Sequence, residues 1–442
     1  VDQLPFDGRT DQCFLKEQVM KIFKFGGASV KDAAGVKNVG AIVRLFPLDN
    51  LVVVVSAMGK TTNALEKLCD AFFYDKEAVA PILDEIKDFH QQIARELFPL
   101  PSHPVHDELH NVFVELEWAV EGVPEYGYDQ EYDQIVSVGE MLATKMVAAY
   151  LHEQQLKTKW FDARDLIRTD ASWREGKVDW MQTEQNIRTL LLPVFDKTET
   201  KVLLVQGFLG ATLDNFTTTL GREGSDYTAA ILAYCTDAES VTIWKDVPGV
   251  LNADPKWFDE TKLIEQLSYQ DAIELAYYGA TVIHPKTIKP LQNKDIPLYV
   301  RSFIFPQEKG TLINNAQAPL PVPCFIFKVN QMLVSLSPKD FSFIVEENMS
   351  SIFRLFSDHK VKINTMQNSA ISFSLCADNE PRKLPGLIKA LQDDYRVLYN
   401  DDVELITIRY YDQATIDRVS IGKKVLLEVK SRYTVQLVVR QA

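Results

Sequence analysis

Residues Lys21 to Val39 read KIFKFGGASVKDAAGVKNV, and the fold is decided by the way this stretch changes character. Lys21 to Phe25 reads as a short strand, and from Val30 onward the pattern turns helical. Between them stand Gly26, Gly27, Ala28 and Ser29. Glycines without a Cβ let backbone N–H groups approach an anion closely, and a helix N-terminus adds partial positive charge. Lys24, at the strand's end, carries an ammonium within reach of the same anion. No G-K-S/T follows, so this is not a Walker A loop, and the G-x-G-x-x-G of dinucleotide folds is missing. The same spacing also suits a tight turn that merely joins a strand to a helix.

Working outward, 442 residues predict two to four domains. A chain that is 46% hydrophobic and 24% charged belongs to the soluble globular class and can bury a large core. No apolar run approaches the roughly 18 residues of a membrane span, and the acidic start VDQLPFDGRTDQCFLKEQ lacks a signal peptide's apolar core. Met20 is the expected functional start, with residues 1–19 an extension. Cys13, Cys69, Cys235, Cys324 and Cys376 are scattered singly, the pattern of reduced thiols in a cytoplasm. A net charge of −14 argues against nucleic acid as a partner, and no membrane partner is expected. Anionic substrates would therefore need the few basic residues gathered at the glycine turns.

Leu51 to Val55 (LVVVV) is a β-branched run of the kind buried on both faces of a parallel sheet. It ends in Ser56, Gly59, Thr61 and Thr62, small polar residues where open α/β sheets bind ligands. Long helices follow to about Val123; His103, His106 and His110 within them could share a face, although Pro101 and Pro104 interrupt a metal site there. Ile135 to Leu151 (IVSVGEMLATKMVAAYL) reads as another strand, turn and helix, with Glu140 in the first helical turn. The helix dipole alone would favour a carboxylate there, and so would a ligand crevice.

Lys201 to Cys235 is the densest stretch: a strand to Val205, then Gly207 and Gly210, then Gly221-Arg222-Glu223-Gly224-Ser225-Asp226 opening a helix. Arg222 offers a fork for a carboxylate or phosphate. Asp226 could hold a metal or a lysine, or simply cap the helix. Ser240 to Lys256 leads from a strand into a Pro/Gly loop, and His284, before Pro285, reads as a helix-start contact. Strand–helix alternation from Lys21 to Phe303 predicts one large α/β unit with helices on both faces of the sheet.

Asn314 to Cys324 is a proline-rich linker. Beyond it the elements run β-α-β-β-α-β, the ferredoxin-like order, and a helix over about 414–430 and a strand over 434–440 begin the pattern again. The expected boundaries are 1–19 for the extension, 20–313 for the first domain, 314–323 for the linker and 324–442 for the last region, its second unit incomplete.

Together these pieces resemble the aspartate kinases of the amino-acid kinase superfamily. The resemblance runs from Met20 to the C-terminus and rests on KFGGASV (Lys24–Val30), SVGE (Ser137–Glu140), GREGSD (Gly221–Asp226), KDVPGVLNADP (Lys245–Pro255) and YYGATVIHP (Tyr277–Pro285). It implies a three-layer α/β/α catalytic domain with a mainly parallel sheet and a C-terminal α+β ACT region. The implied reaction transfers the ATP γ-phosphoryl group, with Mg²⁺ on the nucleotide and no protein metal ligand, to L-aspartate.

By the same resemblance Lys24 and Asp226 would be catalytic, and Ser56, Thr62, Glu140, Arg222 and Ser225 would bind substrate. Gly26, Gly27, Ser29, Trp244, Lys245, Asp246, Leu251 and Lys256 would bind nucleotide. Ile363, Asn364, Asn368 and Ser369 would meet an amino-acid effector, lysine or threonine, and the ACT regions would pair into a homodimer. No homoserine dehydrogenase portion follows, so a monofunctional enzyme is expected. Three departures stand out: Ala28 where the family has Thr, Glu223 where it has Gly, and Thr281 where it has a basic residue. They motivate an alternative, a non-catalytic kinase-like sensor of amino acids; a related kinase with another acyl substrate is the remaining one.

Overall fold

A computed structural model describes residues 20–47, 50–258, 260–280, 283–316, 322–340 and 342–441. The extension 1–19 with Cys13, Thr281 and most of the proline linker lie outside them. The chain divides into two compact units, residues 1–241 and 242–442.

In unit 1, β1 (Met20–Phe25) leads to α1 (Ala33–Arg44), and β2 (Asn50–Val55) to α2 (Thr61–Tyr74). Four helices follow: α3 (Lys76–Leu97), α4 (Pro104–Glu121), α5 (Tyr128–Val136) and α6 (Val138–Glu153). Then come β3 (Thr158–Phe161), α7 (Ala163–Leu166), α8 (Trp180–Asn186), a π-helical turn and α9 (Leu192–Lys197). Strand β4 (Val202–Gln206), the hairpin β5 (Leu209–Ala211) and β6 (Thr217–Thr219), and α10 (Gly224–Thr236) complete the unit. Strands β3, β4, β2 and β1 lie side by side in that order, all parallel. Every residue of β2 is buried, and its four consecutive β-branched valines, Val52 to Val55, suit a strand covered on both faces. The parallel register brings the ends of β1, β2 and β4 level, since Phe25 pairs with Val55 and Val55 with Gln206.

Two local expectations change. Ile135 and Val136 are not a strand but the last turn of α5, which packs through Tyr132, Ile135 and Val136 at helical spacing. Glu140 therefore follows a helix–helix junction at Ser137. Helix α1 begins at Ala33, not Val30, because the Asp32 side chain caps it by accepting from Gly35 N–H at 2.7 Å. That helix terminus is already satisfied by a carboxylate, and the glycine turn stands apart from it.

Unit 2 contains β7 (Ser240–Lys245, within which the division falls), β8 (Gln266–Ser268), α11 (Tyr269–Tyr278), α12 (Pro285–Asn293), β9 (Leu298–Ser302) and β10 (Thr311–Asn314). It continues with β11 (Cys324–Pro338), α13 (Glu346–Asp358), β12 (Ile363–Asn368), β13 (Phe373–Asp378), α14 (Leu384–Asp394) and β14 (Tyr395–Arg409). The last elements are α15 (Gln413–Ser420), β15 (Lys423–Lys430) and β16 (Thr434–Gln441). Six of these strands form one antiparallel sheet in the order β12-β13-β11-β14-β16-β15.

The helix expected over 414–430 is half that length. Gly422, at φ +69°, follows its end, and KKVLLEVK returns as an edge strand. The second ferredoxin-like unit draws its strands from both sides of the first. The first part of β11 and the last part of β14 pair from Cys324–Arg409 to Lys328–Leu405, and β16 and β15 extend that pair. A register break near Gln331 separates this half from the first unit.

The compact division also falls earlier than the linker. Asn252 Nδ2 donates to Pro323 O at 3.0 Å, Ala253 shares an apolar cluster with Phe325 and Ile406, and Arg409 reaches Asp271 at 2.7 Å. Side chains before the linker are thus built into the core of the six-stranded antiparallel sheet.

Candidate active site

The turns after β1, β2 and β4 and the starts of α6 and α10 carry the chemistry of unit 1. Gly27 lets the first two turns meet: its carbonyl accepts from Gly59 N–H at 3.0 Å, and a Cβ at Gly27 would stand 2.6 Å from Ala57 O. A side chain there would push the turns apart. Gly207 has the same duty against Ser225, whose Cβ would lie 2.4 Å from a Cβ added at Gly207.

Lys24, 9% exposed, stands with its Nζ 2.7 Å from Asp226 Oδ1, itself buried in the first turn of α10. The two are close enough for an ion pair but out of hydrogen-bond alignment. Glu140 is buried in the first turn of α6, and its Oε1 accepts from Ala57 N–H at 3.1 Å. Its Oε2 is buried with no hydrogen-bond partner among the described residues. Burial pushes the carboxyl up to about 8, against the pull of the Ala57 amide and the Lys24 charge. An acceptor held dry and unspent beside a lysine is poised for an incoming cation.

Ser29 is buried, its N–H donating to Gly26 O at 2.9 Å, and Ser56 N–H donates to Phe25 O at 3.1 Å. Thr62 is half-buried in the first turn of α2, Ser225 is buried, and Arg222 is exposed. Glu223 takes the left-handed backbone (φ +53°) at the α10 N-cap, a conformation that suits the glycine of the family pattern better.

In unit 2 a cavity of about 420 Å³ is lined by Lys245, Leu251 and Lys256 from the expected nucleotide loop and by Phe325 and Phe327 from β11. The Trp244 side chain is wholly buried beneath the Arg301 guanidinium and cannot stack on a base without leaving the core, which leaves its backbone for a nucleotide contact. Asp246 is exposed.

The expected effector residues lie along β12 and in the turn after it. Asn364 is buried in a closed network, Ile363 is half-buried, and Asn368 and Ser369 are exposed at the other end of β12 and in the turn after it. Ser369 is turned onto Ser372. The histidines have other work: His103 caps α4, His106 approaches Phe98 O and His284 caps α12. No metal-binding cluster occurs among the described residues.

Two contributors escaped the sequence reading. Ala57 acts through its backbone amide, which no side-chain pattern reveals. Phe208, held at φ +72° with its N–H on Thr228 Oγ1 at 2.9 Å, packs against Gly224; the glycines on either side were the available signal.

The model of the amino acid kinase family matches residues 20–302. The chain belongs to the amino acid kinase family. Among its relatives is the lysine-sensitive aspartokinase 3 of Escherichia coli, 30% identical over 81% of this chain and 78% of that enzyme. A bifunctional aspartokinase/homoserine dehydrogenase 2 of Arabidopsis thaliana is 28% identical over 86% of this chain, which spans 42% of it. The solved E. coli aspartokinase III in complex with lysine and aspartate (T-state) matches with a TM-score of 0.80 at 26% identity, covering 95% of this chain and 96% of that one. The same enzyme with aspartate and ADP (R-state) matches with a TM-score of 0.79, also at 26% identity over 95% and 96% of the two chains. Within the family the chain is of the aspartokinase type. No helix among the described residues is long and apolar enough to cross a membrane.

Proposed function

We propose that this chain is an aspartate kinase, transferring the γ-phosphoryl group of ATP to the β-carboxylate of L-aspartate. The observation that carries the reading is the buried Glu140 Oε2, which has no hydrogen-bond partner among the described residues and feels the charge of Lys24, an acceptor suited to the substrate ammonium. The crystal complexes of the E. coli relative with aspartate and with aspartate and ADP support the same substrate pair.

A carboxylate is ionised at neutral pH, so the nucleophile needs no general base. The difficulty is bringing an anion onto a triphosphate, which positioning and charge neutralisation address. One β-carboxylate oxygen forms a bond to the γ-phosphorus as the bond to the β-phosphate oxygen breaks, giving 4-phospho-L-aspartate and ADP. Lys24 offsets charge on the transferring group, and Asp226 orients Lys24. Gly26, Gly27 and Ser29 cradle phosphates, while Lys245, Leu251 and Lys256 line the nucleotide pocket. Arg222 takes the α-carboxylate and Glu140 the ammonium, with Ser56, Thr62 and Ser225 at the rim. Nucleotide-bound Mg²⁺ would supply neutralisation of the phosphate charge.

An amino-acid effector acts through the ACT region, with lysine favoured by the lysine complex of the E. coli relative. Exposed Met366, Ile371, Leu398 and Tyr399 supply apolar surface for a homodimer through that region. The dispersed, buried thiols of Cys69, Cys235, Cys324 and Cys376 suit a reducing cytoplasm.

Hydroxamate formation from L-aspartate and MgATP tests the activity. Turnover is expected; silence with aspartate alongside turnover of glutamate or carbamate would move the chain elsewhere in the family. Effector binding without nucleotide binding, by calorimetry, would instead favour a sensor.

A further inference from the structure

Asp133 is wholly buried on α5, and its side-chain hydrogen bonds run to residues outside the expected substrate set. Its Oδ1 accepts from Thr219 Oγ1 at 2.6 Å, and its Oδ2 accepts from Arg174 N–H at 2.9 Å. Burial pushes this carboxyl up, and donors from Thr219 and Arg174 oppose the rise. A carboxylate is acceptor-only, so it answers donors on both oxygens as no amide could.

These contacts join two arms of unit 1. On one side, α5 runs directly into Ser137 and α6, where Glu140 sits; Ser137 N–H donates back to Asp133 O at 3.4 Å. On the other side, Thr219 ends β6, three residues before Arg222. Thr219 O accepts from Gly176 N–H at 2.8 Å, which ties the loop of Arg174 to the same strand. Next to Asp133, Gln134 Nε2 donates to Thr217 O at 2.9 Å. The Arg174 guanidinium lies 4.2 Å from the centre of the Tyr132 ring, and Tyr132 Oη donates to Glu66 Oε1 at 2.6 Å on α2. Beyond β6, Gly221 packs against Arg174 O so closely that a Cβ there would stand 3.2 Å from it.

We propose that Asp133 is a positioning residue that fixes the spacing between Glu140 and Arg222, and through it the recognition of the α-amino-acid end of the acceptor substrate. The inference rests on the functional reading above and names how that site selects its substrate. Glu140 and Arg222 must hold an ammonium and a carboxylate on one carbon, so a small drift between them penalises a ligand that needs both. A ligand that uses only one of them escapes the penalty.

Steady-state kinetics of the full chain with L-aspartate and MgATP, and succinate as competitive inhibitor, test this. Wild type is compared with Asp133→Asn and Thr219→Val, each checked by thermal melting. Asp133→Asn turns an amide donor toward a donor, and the KM for aspartate is expected to rise about tenfold. Turnover at saturating aspartate, the KM for MgATP and the Ki of succinate, which lacks the ammonium, are expected to stay within about threefold. Thr219→Val, nearly equal in volume, should move the aspartate KM the same way by about threefold.

An active wild type whose variants keep the aspartate KM would overturn the proposal. So would a parallel rise of the aspartate and MgATP KM values, or of the succinate Ki, since general loosening does that. If Asp133→Asn fails to fold, Thr219→Val alone decides. A wild type inactive toward aspartate would overturn the functional reading, and this inference with it.

Discussion

Around Lys24, unit 1 buries an ammonium and two carboxylates; around Asn364, unit 2 buries or half-buries an ammonium, a carboxylate and two amides. In the second cluster the hydrogen bonds close on themselves. Asn364 Nδ2 donates to Gln331 Oε1 and to Asp378 Oδ1, both at 2.7 Å, while Asn364 Oδ1 accepts from Lys328 Nζ at 2.8 Å. Gln331 Nε2 completes the ring on Asp378 at 3.1 Å. In the first cluster Glu140 Oε2 has no hydrogen-bond partner among the described residues, and Lys24 meets Asp226 off alignment. Buried polar groups left short are costly, and proteins keep them where a ligand will supply what is missing. The closed cluster holds a sheet together, and under the proposed reading the open one receives the substrate.

The comparison breaks first at Lys24. Replacing it by alanine is expected to lower kcat at least about 100-fold, the usual scale for removing a group that meets developing charge. A coupled assay of ADP release measures it, and an unchanged kcat would place the open cluster outside the reaction.

Glu140→Gln comes next. It keeps the shape and one acceptor but removes the charge that answers an ammonium, so the KM for aspartate should rise by about tenfold or more. In the wild-type free enzyme, kcat/KM for aspartate should climb with pH through about 8, as burial holds the proton on until then, and the glutamine variant should lose that limb. The stability trend has the opposite sense. The unfolded carboxyl titrates near 4.5 and the folded one near 8, so between them the folded state holds the extra proton. This group's support is complete below about 4.5 and drains away as pH rises to about 8. Melting temperatures of the two proteins should therefore diverge across that window, with the glutamine variant gaining. A constant difference would mean that Glu140 is not buried as a titrating acid.

The closed cluster should answer in the reverse way. Lys328→Met keeps the methylene stem that lies against Gly279 but strips the donor from Asn364 Oδ1. A loss of about 1–2 kcal/mol in stability is expected by urea unfolding, with kcat and the aspartate KM unchanged in the absence of effector. Unchanged stability would show the network to be slack.

How far the sequence revealed these two clusters follows from how each is made. Lys24, Gly27, Glu140 and Asp226 interrupt apolar patterns at element ends, so their residue types announce a site. Ala57 acts through an amide and Asp133 through contacts 41 and 86 residues away, and neither leaves a local signature. The parallel core was plain in Leu51 to Val55, where β-branching and burial coincide. Ile135 and Val136 misled because two β-branched residues look alike in a strand and in the last turn of a helix. The regulatory sheet was half legible: β-α-β-β-α-β order is local, but the pairing of Cys324–Lys328 with Leu405–Arg409 joins segments nearly 80 residues apart, which no periodicity encodes.

The smallest effect sharpens the contrast within the open cluster itself. Glu223 holds φ +53° at the N-cap of α10 and makes no side-chain capping bond. A side chain in this region costs about 1 kcal/mol against glycine, and glycine gives part of that back by loosening the unfolded chain. Glu223→Gly should thus stabilise unit 1 by about 0.5 kcal/mol, read as a small upward shift in the urea midpoint. The same change removes a carboxylate beside Arg222, so the KM values for aspartate and MgATP should fall or hold. If stability rises while binding weakens, Glu223 belongs to the working site, and the left-handed turn is strain retained for a ligand contact. If both improve, the residue is a tolerated departure, and the unspent acceptor of Glu140 remains the feature that separates the cradle from the closed network in unit 2.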